Sequence, residues 1–196
     1  MKIIFLDIDG VVSTFEYKWR LDINKLLLLN NIIYETNAKI VISSSWRHGC
    51  KTIEELKNHF RTFRLPSILK NKIDDMLLQY IVGMTPIGEN RGEEIKQYLE
   101  THNDIESYVI LDDDSDMLKE QLFNFVQTDG FEGLTTREVK LCISILKGEK
   151  IINPIRLNYK LRNEWINNCI GLQNTDINER IQEYENNKNM LKLNYI

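Results

Sequence analysis

No stretch of this chain stays apolar for 18 residues or more, so nothing in it reads as a membrane span. Cysteine is scarce. Cys50, Cys142 and Cys169 are an odd set with no CxxC spacing. That argues against a disulfide framework or a zinc site and fits a reducing cytoplasm. A positive charge excess is missing too: 25 Lys and Arg against 29 Asp and Glu give a net charge of −4. There is thus no global attraction to nucleic acid, and such a partner requires a local basic patch. There are no internal repeats. The apolar run at 3–6 is too short, and too quickly acidic, for a signal peptide. What remains is a chain of 196 residues, 42% hydrophobic and 28% charged, the values of one globular domain with an appendage.

Strands and helices alternate along the first three quarters. Residues 3–6 are an unbroken apolar run, the pattern of a central parallel strand covered on both faces. "DINKLLLLNNIIYETNA" reads as a helix, with Asp22 as N-cap and Asn37 taking the left-handed turn at its end. "KIVIS" is a second strand. "TIEE" at 52–55 is a capping box opening a helix toward Phe60, and Pro66 marks a break. "YIVGMTP" is a short strand, "RGEEIKQYLE" a helix, "SYVILDDD" a third strong strand and "NFVQT" a further one. Thr135 with Glu138 forms another capping box, starting a helix that runs to about Lys147. This alternation predicts an α/β fold, a Rossmann-like three-layer sandwich with a central parallel sheet.

From Gly148 the texture changes, with 11 asparagines in the last 49 residues. Leu161, Trp165, Ile166 and Ile170 still recur at helical intervals, so 148–196 reads as a helical C-terminal extension packed on the 1–147 core. It carries seven basic and six acidic residues and is the less acidic part of the chain. Arg156, Lys160 and Arg162 cluster near its start, either covering a packing helix or guiding a polyanion.

Three strands end in polar residues: Asp7 and Asp9, the serines after Ile42, and Asp112 and Asp113. In a parallel sheet such ends meet in one crevice. The combination suits hydrolysis of a phosphate ester, which needs a nucleophile, a cation against the phosphoryl charge and a proton for the leaving oxygen. Asp7 can attack and form an aspartyl-phosphate. Asp9, two residues on and pointing the same way, can supply the proton and then activate water. Gly10 allows a tight turn beside the phosphate. Asp112 and Asp113 complete an oxygen cage for Mg²⁺.

In order and rough spacing, "DIDGVV", "ISSSWR", "RGEEI" and "VILDDDSD" resemble the four motifs of the haloacid dehalogenase (HAD) superfamily. "SSSWR", then "VGMTP…RGEEI" and "ILDDD", look more narrowly like the HAD domains grouped with RNA-repair proteins. Those are distant relatives of the 3′-phosphatase half of phage polynucleotide kinase. The resemblance covers about residues 1–147 and implies a HAD fold. It makes Asp7 the nucleophile and Asp9 the acid/base. It gives Mg²⁺ to Asp7, the backbone carbonyl of Asp9, and Asp112 or Asp113, with Asp114 and Asp116 as further candidates. It sets Ser44, or Ser43 one register away, against the phosphoryl oxygens. Arg91 becomes the cation that steadies the transferring group, a role consistent with its mild misfit at a helix start. Arg47 offers a second, bidentate contact to the phosphate or substrate.

Blander readings exist for single residues. A lone DxDG is often only an Asx turn, and "DDDSD" alone is often a solvated loop. Trp46 reads as a packing residue rather than a base-stacking platform. Cys50 has no base partner and is not a nucleophile. The intervals between motifs leave little or no room for a cap domain, and an open site suits bulky substrates. The expected activity is an Mg²⁺-dependent phosphomonoesterase acting on a polynucleotide terminus or nucleotide. The alternatives are a small-metabolite phosphatase or nucleotidase, and a catalytically weak core serving as a binding module.

Overall fold

The computed structural model describes residues 1–149 other than 15–17, 19 and 64. The expected C-terminal extension, with its helices and basic cluster, lies outside the described residues.

Five strands form one parallel sheet in the order β3-β2-β1-β4-β5. They are β1 (Lys2–Leu6), β2 (Lys39–Ile42), β3 (Ile81–Met84), β4 (Ser107–Asp112) and β5 (Phe125–Gln127). Among the described residues five α-helices intervene or follow: α1 (Ile23–Thr36), α2 (Ile53–Thr62), α3 (Ile73–Met76), α4 (Arg91–Thr101) and α5 (Thr136–Leu146). The central strands β2, β1 and β4 are buried on both faces, as their unalternating runs predict, while Val82 of the edge strand β3 is exposed. Ile4 and Leu6 of β1 join a core with Leu26, Leu29, Leu56 and Cys142. Ile3 and Phe5 point the other way, into a second core with Ile95 and Tyr98 of α4. The result is the three-layer α/β sandwich expected. Among the described residues no helix is long and apolar enough to cross a membrane.

The caps explain where the helices start. Asp22 accepts from the Asn24 amide at 2.8 Å, and Asn37 closes α1 at φ 56°. The box at Thr135 and Glu138 is present in full. The box at Thr52 is only half made. Thr52 accepts from the Glu55 amide at 3.1 Å, but the Glu55 carboxylate reaches past the cap to the Lys51 amide at 2.7 Å. Between α2 and β3 the described chain adds α3 and two three-residue 3₁₀ turns. The sequence reading missed a longer 3₁₀ stretch, Lys119–Asn124, which leads into β5.

Register fixes what meets at the carboxyl edge. Leu6 pairs with Ile42 on one side and Leu111 on the other. The ladder then runs one residue further: Asp7 N–H donates to Leu111, Ser43 N–H to Leu6, Thr85 N–H to Ile42 and Thr128 N–H to Asp112, each at 3.0 Å. Asp7, Ser43 and Asp112 are thereby held in one row by backbone bonds alone.

Candidate active site

Asp7 and Asp112 are both buried at that edge, and Asp113 is half-buried beside them. One carboxylate oxygen from each of the three lies within 4.8 Å of the others. Of the four acidic candidates at and beyond the end of β4, Asp112 and Asp113 therefore join Asp7. Asp116 instead accepts from the Arg91 amide at 2.9 Å and from Gly92 N–H through its carbonyl, fixing the start of α4. Asp114 is exposed, and its amide donates to Asp112 Oδ1 at 3.0 Å.

Two glycines make room for Asp113. A Cβ on Gly10 would stand 2.1 Å from the Asp113 Cγ, and one on Gly130 would stand 2.7 Å from its Oδ2. Gly10 also has φ +77°, as the tight turn requires. In this structure the space it leaves is filled by the Asp113 carboxylate.

Arg91 projects from the first turn of α4 into the carboxylates. Its Nη1 donates to Asp7 Oδ1 at 2.9 Å, to Asp112 Oδ2 at 2.8 Å and to Ser43 Oγ at 3.4 Å. Burial works against its charge, but Asp112 and Asp7 more than offset this and hold its pKa above the ordinary value. The guanidinium bonds two of the three clustered carboxylates, so negative charge is left over. Burial raises the Asp7 pKa, opposed by Arg91 and by a hydrogen bond from the Ser44 hydroxyl. Burial and then the charge of Asp7 push Asp112 well up, and burial with Asp7 and Asp114 lifts Asp113 to about 7. Three hard oxygen donors, close together and short of positive charge, fit a small divalent cation such as Mg²⁺.

Arg47 departs from its expected role. It is 2% exposed. Its guanidinium donates to the carbonyls of Thr85 (3.0 Å), Ser44 (2.7 Å), Pro86 (3.0 Å) and Ser43, and pairs with Glu94 at 2.6 Å. Five N–H groups have five partners, leaving none for a phosphate. Arg47 is a clamp tying the end of β2 to the end of β3 and to α4. A bidentate fork suits that task as well as it suits phosphate, so residue type alone could not separate the two.

Asp9 is held on both oxygens. Ser13 Oγ donates to Oδ1 at 2.9 Å, and the indole Nε1–H of Trp46 donates to Oδ2 at 2.9 Å. Trp46 does pack, as expected, with its ring centroid 5.3 Å from Phe60 and 5.1 Å from Phe63. Its polar edge was missed, although a buried indole usually needs an acceptor. Burial and the charge of Glu55 raise the Cys50 thiol pKa, consistent with an inert residue.

A family model described as the HAD domain in Swiss Army Knife RNA repair proteins matches residues 3–139. The chain belongs to that HAD family. No curated protein and no solved structure matches it. The matched span of the HAD domain contains every site residue described above, from Asp7 to Gly130. Sequence reasoning also missed Glu94, which lies one turn after Arg91. Its Oε2 lies 2.6 Å from Arg47 Nη2 and 3.6 Å from Arg91 Nε. The i, i+3 spacing from Arg91 was the available signal.

Proposed function

We propose that this HAD domain is an Mg²⁺-dependent phosphomonoesterase acting on a phosphate at a polynucleotide terminus or on a nucleotide. The observation that carries the reading is the meeting of Asp7, Asp112 and Asp113 with Arg91 at one sheet edge, two residues from a fixed Asp9. Asp7 attacks phosphorus and the bond to the leaving oxygen breaks, while Asp9 gives that oxygen its proton. Asp9 then takes a proton from water. The water oxygen attacks the aspartyl-phosphate, and inorganic phosphate leaves with Asp7 restored. Arg91, in contact with Asp7, is placed to neutralise charge on a phosphoryl group there. The Ser44 hydroxyl, bonded to Asp7, and Ser43, beside Arg91, lie within reach of the same group. Asp7, Asp112, Asp113 and the backbone carbonyl of Asp9 would hold Mg²⁺, which when bound lowers the repulsion between carboxylate and phosphate.

The family's link to RNA repair supports a nucleic-acid end over a small metabolite. A panel of 3′- and 5′-phosphorylated oligonucleotides, mononucleotides and sugar phosphates, with Mg²⁺ and with chelator, tests both parts. Phosphate release from an oligonucleotide end, lost in chelator, is expected. Preference for sugar phosphates contradicts the substrate class, and full activity in chelator contradicts the metal.

A further inference from the structure

Trp46 contacts Asp9 through a group that can only donate, and Ser13 contacts it through one that can donate or accept. The two bonds fix both oxygens of one carboxylate, which a free side chain at a strand-end loop would not achieve. The indole itself cannot easily shift. It is 6% exposed and wedged against Phe60, Phe63 and, edge-on at 5.9 Å, His59. Its N–H is thus aimed by the packing of α2 and the turn that follows it, far along the chain from Asp9. The Ser44 hydroxyl, which bonds Asp7, also accepts from the Trp46 amide at 3.4 Å. One short 3₁₀ turn, Ser45–Arg47 with its Ser44 cap, therefore touches both carboxylates of the "DID" segment.

We propose that Trp46 is a positioning residue for proton transfer, holding Asp9 in the orientation from which it serves the leaving oxygen. This rests on the phosphomonoesterase reading. A protonated carboxyl oxygen is a poorer acceptor than its carbonyl partner, so the indole N–H keeps Oδ2 as the acceptor. The transferable proton is then carried on Oδ1, beside the Ser13 hydroxyl, which can turn to receive or release it. No atom of Trp46 takes part in the bond changes. Without the indole N–H, Asp9 is free to rotate and its proton is misplaced.

The signature is a dependence on leaving group. A p-nitrophenolate leaves without help, whereas an alkoxide needs its proton in the transition state. In the full-length Trp46→Phe protein, kcat/KM for an alkyl phosphate is expected to fall about 10- to 100-fold, and that for p-nitrophenyl phosphate less than about 3-fold. Equal losses on the two esters, or none on either, would overturn the proposal and leave Trp46 as packing alone. Independently of turnover, the Trp46 indole N–H signal in ¹H–¹⁵N spectra, assigned by its absence in Trp46→Phe, should shift and exchange faster in Asp9→Ala. In Asp9→Asn, whose amide oxygen still accepts, it should stay protected. An indole signal unmoved by Asp9→Ala refutes the positioning bond even if the wild-type protein hydrolyses neither ester. That last result would count against the phosphatase reading alone.

Discussion

The two halves of the sheet's carboxyl edge handle buried charge in opposite ways. On the β2–β3 side, Arg47 has a partner for each N–H, and its carboxylate partner Glu94 sits 2.6 Å from it and only 3.6 Å from Arg91. On the β1–β4 side, Asp7 and Asp112 share Arg91 with Asp113 beside them, and the three carboxyl pKa values are pushed up, with burial the largest cause. A satisfied buried ion pair adds order to a scaffold. A buried acidic cluster short of positive charge is held together by the fold at a free-energy cost, which a cation or a proton relieves. On the proposed function, the first half serves architecture and the second chemistry. Mutations should divide accordingly.

The largest effect falls on the chemical half. Asp7→Asn should lower phosphatase turnover by about 10⁴-fold or more, because the amide is a poor nucleophile and a poor metal ligand. It should leave the fold intact, since one charge is removed from a crowded acidic site. Circular dichroism with a turnover assay on the purified variant checks this, and wild-type-like activity would break the division.

The two arginines should then separate. Arg47→Met removes the short ion pair to Glu94 and the side-chain donor to the Ser43, Ser44, Thr85 and Pro86 carbonyls, and should cost about 3–5 kcal/mol in denaturant unfolding. Adding Glu94→Gln should return part of that. Arg91→Met should lower activity by about 10²–10³-fold, the loss typical of one donor at a reacting group. Its effect on unfolding should be smaller than that of Arg47→Met, because Asp7 and Asp112 can take up protons. If Arg47→Met unfolds no more easily than Arg91→Met, the contrast between the halves is wrong.

A smaller effect comes from pH. Asp113 titrates near 7 in the folded chain, above its unfolded value, so the folded state binds the proton more tightly. The associated stability is fully present below about pH 4 and is lost as pH rises through 7, of order 2–4 kcal/mol. Metal-free melting temperatures should fall across that window, and less steeply in Asp113→Asn. Saturating Mg²⁺ should oppose the fall most strongly above pH 7, where the carboxylates have released their protons.

The division between the halves also marks what could be read from the sequence. The strands, the Asp22 and Asn37 caps and the row of Asp7, Ser43 and Asp112 were legible because unbroken apolar runs and cap residues are local signals. The half-made box at Thr52 and the 3₁₀ stretch Lys119–Asn124 were not, since side-chain reach and turn type are set by geometry. At the site, charge and spacing revealed the carboxylates. They could not say which partner a long side chain would choose. Arg47 turned to carbonyls beneath Glu94, Trp46 turned its N–H to Asp9, and Gly10 and Gly130 gave their space to Asp113. Each of those depends on contacts between segments distant in sequence, which no local pattern encodes.

The central claim is that Asp7, in the acidic half, carries the phosphoryl group. The direct measurement is to quench the protein during Mg²⁺-supported turnover of a phosphorylated substrate, reduce any acyl-phosphate with borohydride and map the modified peptide by mass spectrometry. The account predicts conversion of the Asp7 side chain to an alcohol, absent without substrate. Turnover with modification at Asp9 instead, or with no acyl-phosphate trapped at any position, would contradict it.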